Sequence, residues 1–220
     1  MAWAIVFASV VWVLIPRTKR GGKLVLPLIM ILGILPDIDI LFESFGVLHR
    51  TVTHSLLLYL VLFIPFFVAY NWKAVPYFVA VISHFIFGDL LIGQVALFWP
   101  LNQSFIGFNF TMSSLTDIAL ESAGLLLALG IVIYNRDLRR ILSVDKRNLL
   151  MALPLLAIVV SGLFFATRWP SLNSFVADVL SSKLLVVLAL GHLVLIGFLA
   201  ICAFQGLKAF FYRTLIFRRR

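Results

Sequence analysis

The strongest constraint on this chain is a succession of apolar runs, each about as long as a bilayer is thick and almost free of charge. They fall at residues 2–16, 23–42, 55–70, 74–98, 115–134, 149–167 and 184–204. A helix that crosses the hydrocarbon core uses about 20 residues. In lipid its backbone groups must be satisfied within the segment, which favours helices over open sheets. The composition agrees: 63% of the 220 residues are hydrophobic and 12% charged, whereas a soluble domain runs near half apolar and a quarter charged. A soluble globular domain, a disordered chain and a disulfide scaffold are thereby excluded, the last because Cys202 is the single cysteine. The expected fold is an all-α polytopic membrane bundle of about seven transmembrane helices. It forms one transmembrane domain over residues 1–220, with motif-bearing residues 30–121, C-terminal helices in 149–204 and a basic tail at 206–220.

The few charges set the orientation. With seven passages, loops one, three and five and the tail carry fifteen of the eighteen Lys and Arg residues. Arg50, Arg168 and Lys183 alone fall on the other side. Cytoplasmic loops carry the cationic excess, so the N-terminus is expected outside and the C-terminus inside a multi-pass protein of the cell membrane. The first run is expected to be a retained anchor, because Arg17, Lys19, Arg20 and Lys23 follow it where a signal peptide has its cations in front. The net charge of +9 is then a topology signal, and no nucleic-acid partner is expected. The tail GLKAFFYRTLIFRRR reads either as an interfacial helix on anionic headgroups or as a span end with snorkelling arginines.

Polar residues within such runs carry the functional information, since a carboxylate near the bilayer centre costs roughly 2.5–3.5 kcal/mol on insertion scales. Under the topology above, Asp37, Asp39, Glu43, Asp89, Asp117, Glu121 and Asp178 gather toward the outer face. His49, His54, His84 and His192 follow them. Three clusters stand out: Leu35-Pro36-Asp37-Ile38-Asp39, then His49-Arg50-Thr51-Val52-Thr53-His54-Ser55, then Ser83-His84 with Gly88-Asp89 and Trp99-Pro100. Thr53 or Ser55 is expected to cap the third span. Oxygen and imidazole donors without thiols suit Zn, with Mn or Fe(II) behind it, and there are enough of them for a catalytic site of three protein ligands and a water. The competing reading is a buried ion-pair network that only fixes helix packing. His192 is read as a packing residue, Glu43 as facing headgroups, and Trp99 and Trp169 as marking the outer interfacial belt.

At these clusters the sequence resembles a family of membrane-bound metal-dependent hydrolases whose bacterial members are described as LexA-binding inner-membrane hydrolases. That family shows Leu-Pro-Asp-x-Asp, then His-Arg-Gly-x-Thr-His-Ser, then a Ser-His…Asp helix ending near Trp-Pro. Here the elements stand as LPDID at 35–39, HRTVTHS at 49–55 and SHFIFGDLLIGQVALFWP at 83–100. The resemblance implies metal binding by Asp37, Asp39, His54, His84 and the acid that follows His84, with His49 and Arg50 as ligand or substrate contacts. It also implies an acid near the start of span five, where Asp117 and Glu121 stand one turn apart. Three departures accompany it. The family's N-terminal histidine has no counterpart in the first run, and Thr51 replaces the motif's glycine. The family's acid follows its histidine by four residues, on one helical face, whereas Asp89 is the fifth residue after His84, about 140° off that face in a regular helix. Either a π-bulge restores the facing or a ligand has been lost.

Three functions compete on these grounds. The first is a metal-dependent hydrolase acting at the outer face on a phosphate ester or other bond of a lipid or envelope precursor, a lipid-linked or phosphorylated substrate. In that reading Arg50 steadies developing charge and His49 protonates the leaving group. The second is a non-catalytic subunit that packs against membrane-protein partners, favoured by the shifted Asp89 and the absent N-terminal histidine. The third is a transporter or proton relay, disfavoured because the inner halves of the spans carry almost no ionisable groups.

Overall fold

A computed structural model of the chain describes residues 1–19, 22–110, 114–166, 180–181 and 183–217. Among them the secondary structure is helical, apart from a single antiparallel bridge between Val95 and Ile106. Four helical stretches are long and apolar enough to cross a membrane: Leu56–Lys73, Val75–Ile92, Leu115–Tyr134 and Ala189–Phe211. They coincide with the third, fourth, fifth and seventh expected spans. The chain divides into two compact units, Met1–Ile131 and Val132–Arg220.

In the first unit, α1 (Ala2–Leu14) is apolar but only 13 residues long. The second expected span is not one continuous α-helix. Helix α2 (Leu26–Leu32) stops at Gly33, and the chain continues as a 3-10 run over Leu35–Phe45. Pro36 removes one backbone donor and its ring crowds the carbonyl four residues earlier, which kinks or breaks a helix. The break delivers Asp37 and Asp39 in a tighter coil instead of on one face of a membrane helix. At Gly33 an added Cβ would lie 2.5 Å from Ala4 Cβ, so the absence of a side chain lets α1 approach α2.

Helix α3 (Leu56–Tyr70) is apolar all round and buries none of its residues, as a lipid-facing helix should. Ser55 caps it, accepting the Leu58 N–H at 3.2 Å while its hydroxyl donates to the Trp99 carbonyl at 2.6 Å. Helix α4 (Val75–His84) opens with Pro76, which suits a first turn. It packs antiparallel to α1: Trp3 and Phe7, near the start of α1, stack on Phe87, just beyond the end of α4, with centroids 4.8 and 4.4 Å apart. The fourth expected span ends early, as a π turn over Phe85–Asp89 leads into the short α5 (Leu90–Ile92). Residues 93–110 then fold back, with Phe108 and Phe110 N–H groups donating to the Leu90 and Leu91 carbonyls. Helix α6 (Leu115–Tyr134) begins with Ser114 accepting the Asp117 N–H, and its Gly124 leaves room for the Trp3 ring, 2.8 Å from where a Cβ would stand.

The second unit begins within the last turn of α6. Helix α7 (Asp137–Ile141) follows, its carbonyl end closed by Asn148, whose buried amide donates to the Arg140, Ile141 and Ser143 carbonyls. Asp145 starts a 3-10 turn over Lys146–Met151, and α8 (Ala152–Ala166) continues from it. The last helix, α9 (Lys183–Phe217), runs 35 residues. The basic tail is therefore continuous with the span as far as Phe217, and Gly206 allows a tight crossing with Asn148 and Leu149. Asp178, Arg168, Trp169 and the last three arginines lie outside the described residues.

Candidate metal centre

Four segments of the first unit converge: the 3-10 run after α2, residues 46–55 ahead of α3, the π turn after α4, and loop 93–110. Asp39 organises the first two. It is fully buried, and its Oδ1 accepts from His49 Nδ1 at 2.8 Å. Its Oδ2 accepts the Arg50 backbone N–H at 3.2 Å and the Thr53 hydroxyl at 2.5 Å, and lies 3.2 Å from His54 Nδ1. An ionised carboxylate only accepts. His49 therefore keeps a proton on Nδ1 toward Asp39, His54 Nδ1 donates to the Thr53 hydroxyl oxygen at 3.1 Å, which itself donates to Asp39, and both rings turn Nε2 away from that carboxylate. Thr53 is thus engaged by Asp39, which leaves the capping of α3 to Ser55. The left-handed position in this segment is Arg50, with φ of 64°. Thr51 has φ of −112°, so the backbone does not demand glycine where the motif has one.

The π turn settles the spacing of the third cluster. One extra residue is absorbed between His84 and Asp89, and the side chains come together: His84 Nε2 lies 3.0 Å from Asp89 Oδ2 and 3.1 Å from Asp37 Oδ1. The other ring nitrogen of His84 donates to the Gly33 carbonyl at 3.0 Å. That carbonyl is available because α2 ends there.

Four donor atoms now form a closed ring. His54 Nε2 stands 3.1 Å from Asp89 Oδ2 and 3.5 Å from Asp37 Oδ1, and His84 Nε2 closes the remaining two sides. Four ligands at 2.0–2.1 Å from a tetrahedral ion are separated by about 3.3 Å, which matches these distances. A second combination, Asp37, His49, His54 and Asp89, also offers one ligand atom each, all within 4.8 Å of one another. The buried Asp and His group can hold a metal ion.

The hydrogen-bond pattern fits that occupant better than a closed polar network. His54 is fully buried and Asp89 nearly so, and such groups are almost always hydrogen-bonded. Yet His54 Nε2 and Asp89 Oδ2, 3.1 Å apart, form no hydrogen bond and meet their neighbours only in ion-pair contacts, Asp89 Oδ2 with His84 Nε2 at 3.0 Å and His54 Nε2 with Asp37 Oδ1 at 3.5 Å. Each histidine is instead braced from behind, His54 by the Asp39 carboxylate and His84 by a backbone carbonyl. Metal-bound histidines are usually oriented in this way.

Arg50 closes one side. Its Nε lies 3.0 Å from Asp89 Oδ1, and its backbone carbonyl accepts the Ala96 N–H. The guanidinium passes directly over Gly93, where a Cβ would stand 1.8 Å from Nη1. Behind the histidines, Phe85 is fully buried against His54, His84 and Tyr59.

The structure thus brings together Asp37, Asp39, His49, Arg50, His54, His84 and Asp89. Asp117 is buried near the start of α6, and the amino terminus of α1 lies within electrostatic reach of both Asp37 and Glu121. His192 sits on α9 in the second unit, and the side chain of Glu43 is outside the described residues. The sequence reading missed four supporting groups: the Gly33 carbonyl, Thr53 as an anchor of Asp39, Gly93 and Phe85. Of these only Gly93 carried a signal, as a glycine at the end of an apolar helix.

Comparison with known proteins agrees with the motif reading and extends it. No curated protein and no solved structure matches the chain. A sequence model of the family described as YdjM inner membrane protein matches residues 4–170. That stretch takes in the three clusters and continues well past the part that carried the motifs. A multi-pass membrane protein by its four apolar helices, the chain belongs to the YdjM inner membrane protein family.

Proposed function

We propose that Asp37, His54, His84 and Asp89 bind one divalent cation, zinc ahead of manganese or iron(II). In this reading the protein is a membrane-bound hydrolase of a phosphate ester or related bond in a lipid-linked or phosphorylated envelope precursor. The observation that supports it most is the ring of four donors 3.0–3.5 Å apart, in which the buried His54 Nε2 and Asp89 Oδ2 make no hydrogen bond. Of the two grounds for a non-catalytic subunit, the π turn answers the shifted Asp89, and the absent N-terminal histidine stands.

The cation, when bound, supplies a Lewis acid beside substrate and water. The chain's own residues divide the remaining work. Asp39 and the Gly33 carbonyl fix the two imidazole planes. Arg50, a quarter exposed, can offer its planar fork to phosphate oxygens, the bidentate geometry that favours arginine at such sites. His49 is similarly exposed, and with Nδ1 donating to Asp39 its Nε2 is placed to hold or give a proton at the leaving group. The proposal includes seven passages with the site toward the outer face. The Lys and Arg distribution supports that orientation.

The test is release of inorganic phosphate from a panel of phosphorylated membrane lipids by purified protein supplied with zinc. Metal-dependent release that disappears in His54→Ala and falls in Arg50→Ala supports the reading. Release that is independent of metal, or unchanged in His54→Ala, contradicts it.

A further inference from the structure

Helices α1 to α4 also enclose an apolar groove of about 680 Å³, walled off from the histidines by Phe85 and reaching from Tyr59 to Lys73. Eleven helical residues separate Tyr59 from Tyr70 on its α3 wall, a length of about 16 Å. Its walls are aliphatic and aromatic, and Lys23 and Lys73 are the charged residues lining it. Lys73 follows Trp72 in the chain, Lys23 stands two residues before Val25, which bonds to Tyr77 one turn along from Lys73, and neither lysine has an ion-pair partner among the described residues. Lys19 is held close by, its Nζ 5.6 Å from the Trp72 ring centroid. The segment that carries Lys23 is pinned to α4, where the Tyr77 hydroxyl accepts the Val25 N–H at 3.2 Å.

An apolar trough with uncompensated cations at one mouth complements an amphiphile with an acyl tail and an anionic head. We infer that this groove is a binding site for one anionic phospholipid, its tail along α3 and its phosphate held by Lys23 and Lys73. Trp72 and Tyr70 stand at that end, where amphipathic rings sit at headgroup level. The cations also belong to the Lys/Arg-rich side of the chain, and such segments attract anionic lipid. The site is independent of the metal centre and of the proposed hydrolysis.

Native mass spectrometry of the full-length protein, released from detergent with equal amounts of phosphatidylglycerol and phosphatidylcholine of matched chains, tests this. One phosphatidylglycerol should be retained per chain, with a preference on the order of tenfold. Lys23→Gln combined with Lys73→Gln should bring that retention down to the phosphatidylcholine level. Arg139→Gln with Lys146→Gln, which removes the same charge elsewhere, should leave the preference intact. Leu62→Trp should lower retention of both lipids by filling the trough. Equal retention of the two lipids by the unaltered protein would overturn the inference. So would a preference that survives loss of both lysines, retention unaffected by Leu62→Trp, or a second copy of the chain occupying the groove.

Discussion

The π turn offers a sharp way to perturb the site without touching its donors. An α-helix advances about 100° per residue, so a five-residue step carries Asp89 about 140° past His84. At about 4.4 residues per turn the π geometry needs about 410° for the same step, leaving an offset of about 50°, close to the roughly 40° of an ordinary four-residue pair. The 90° difference displaces a Cα by about 3 Å on a cylinder of radius about 2.3 Å, and a carboxylate further out by about twice that. The observed His84–Asp89 separation is 3.0 Å, so such a displacement takes the donor out of reach. Deleting the half-exposed Ile86 lets the turn close as α-helix with a four-residue spacing, and metal affinity should stay within about tenfold. Exchanging Gly88→Asp with Asp89→Gly keeps the turn but moves the carboxylate by about 80°, from about 50° past His84 to about 30° short of it and so to the other side of the ring from His54, and affinity should fall by more than the 10–100-fold typical of losing a supporting partner. Chelator competition with zinc in detergent, with melting curves to confirm folding, reads both. Undiminished affinity in the exchange variant would refute the reasoning, as would a folded Ile86 deletion that no longer binds.

Other expectations follow from the supporting groups. Asp39→Asn leaves the four donors in place but loosens His54, so zinc affinity should drop 10–100-fold without vanishing, whereas Asp89→Ala should abolish binding at the same concentrations. Gly93→Ala forces the guanidinium of Arg50 away from Asp89. Since Arg50 is a quarter exposed, the cost should be about 1–3 kcal/mol, below that of breaking a fully buried pair, read as a lower melting temperature in nanodiscs. Burial alone pushes the His54 imidazolium toward losing its proton, but Asp37, Asp39 and Asp89 more than offset this and raise it from 6.5 to about 10. In the metal-free protein its contribution to stability is therefore complete below the ordinary value and fades as pH climbs toward 10. Metal must displace that proton and the one that His84 Nε2 holds toward Asp37 and Asp89, so zinc affinity should rise at least about tenfold per pH unit between about pH 6 and pH 8. Affinity that does not change with pH would count against His54 as a ligand.

What could be read in the sequence and what could not separates along physical lines. Long apolar runs announce membrane helices because the bilayer imposes their length, and four of the expected spans stand where the runs do. The second run failed as a continuous span because hydropathy averages over Gly33 and Pro36, which break the ladder however apolar their neighbours are. The seven residues of the site were legible because unpaired charge is costly in such a chain and therefore conspicuous. Their division into an inner ring and a brace was not, since Asp37 and Asp39 look alike until the 3-10 coil turns one toward the shared position and the other behind His54. The His84–Asp89 spacing was legible as an alternative between a π turn and a lost ligand. Only the backbone resolves it. Gly33 contributes a carbonyl, an atom every residue has, and so left no mark in the sequence.

The most direct measurement of the central claim is elemental analysis of the purified protein. It compares the unaltered chain with the His54→Ala, His84→Ala double variant, both shown to be folded and inserted. One equivalent of a divalent metal in the unaltered protein, zinc ahead of manganese or iron, and none in the variant is the predicted result. A folded protein that takes up no metal when zinc is supplied, or a variant that retains a full equivalent, would contradict the account.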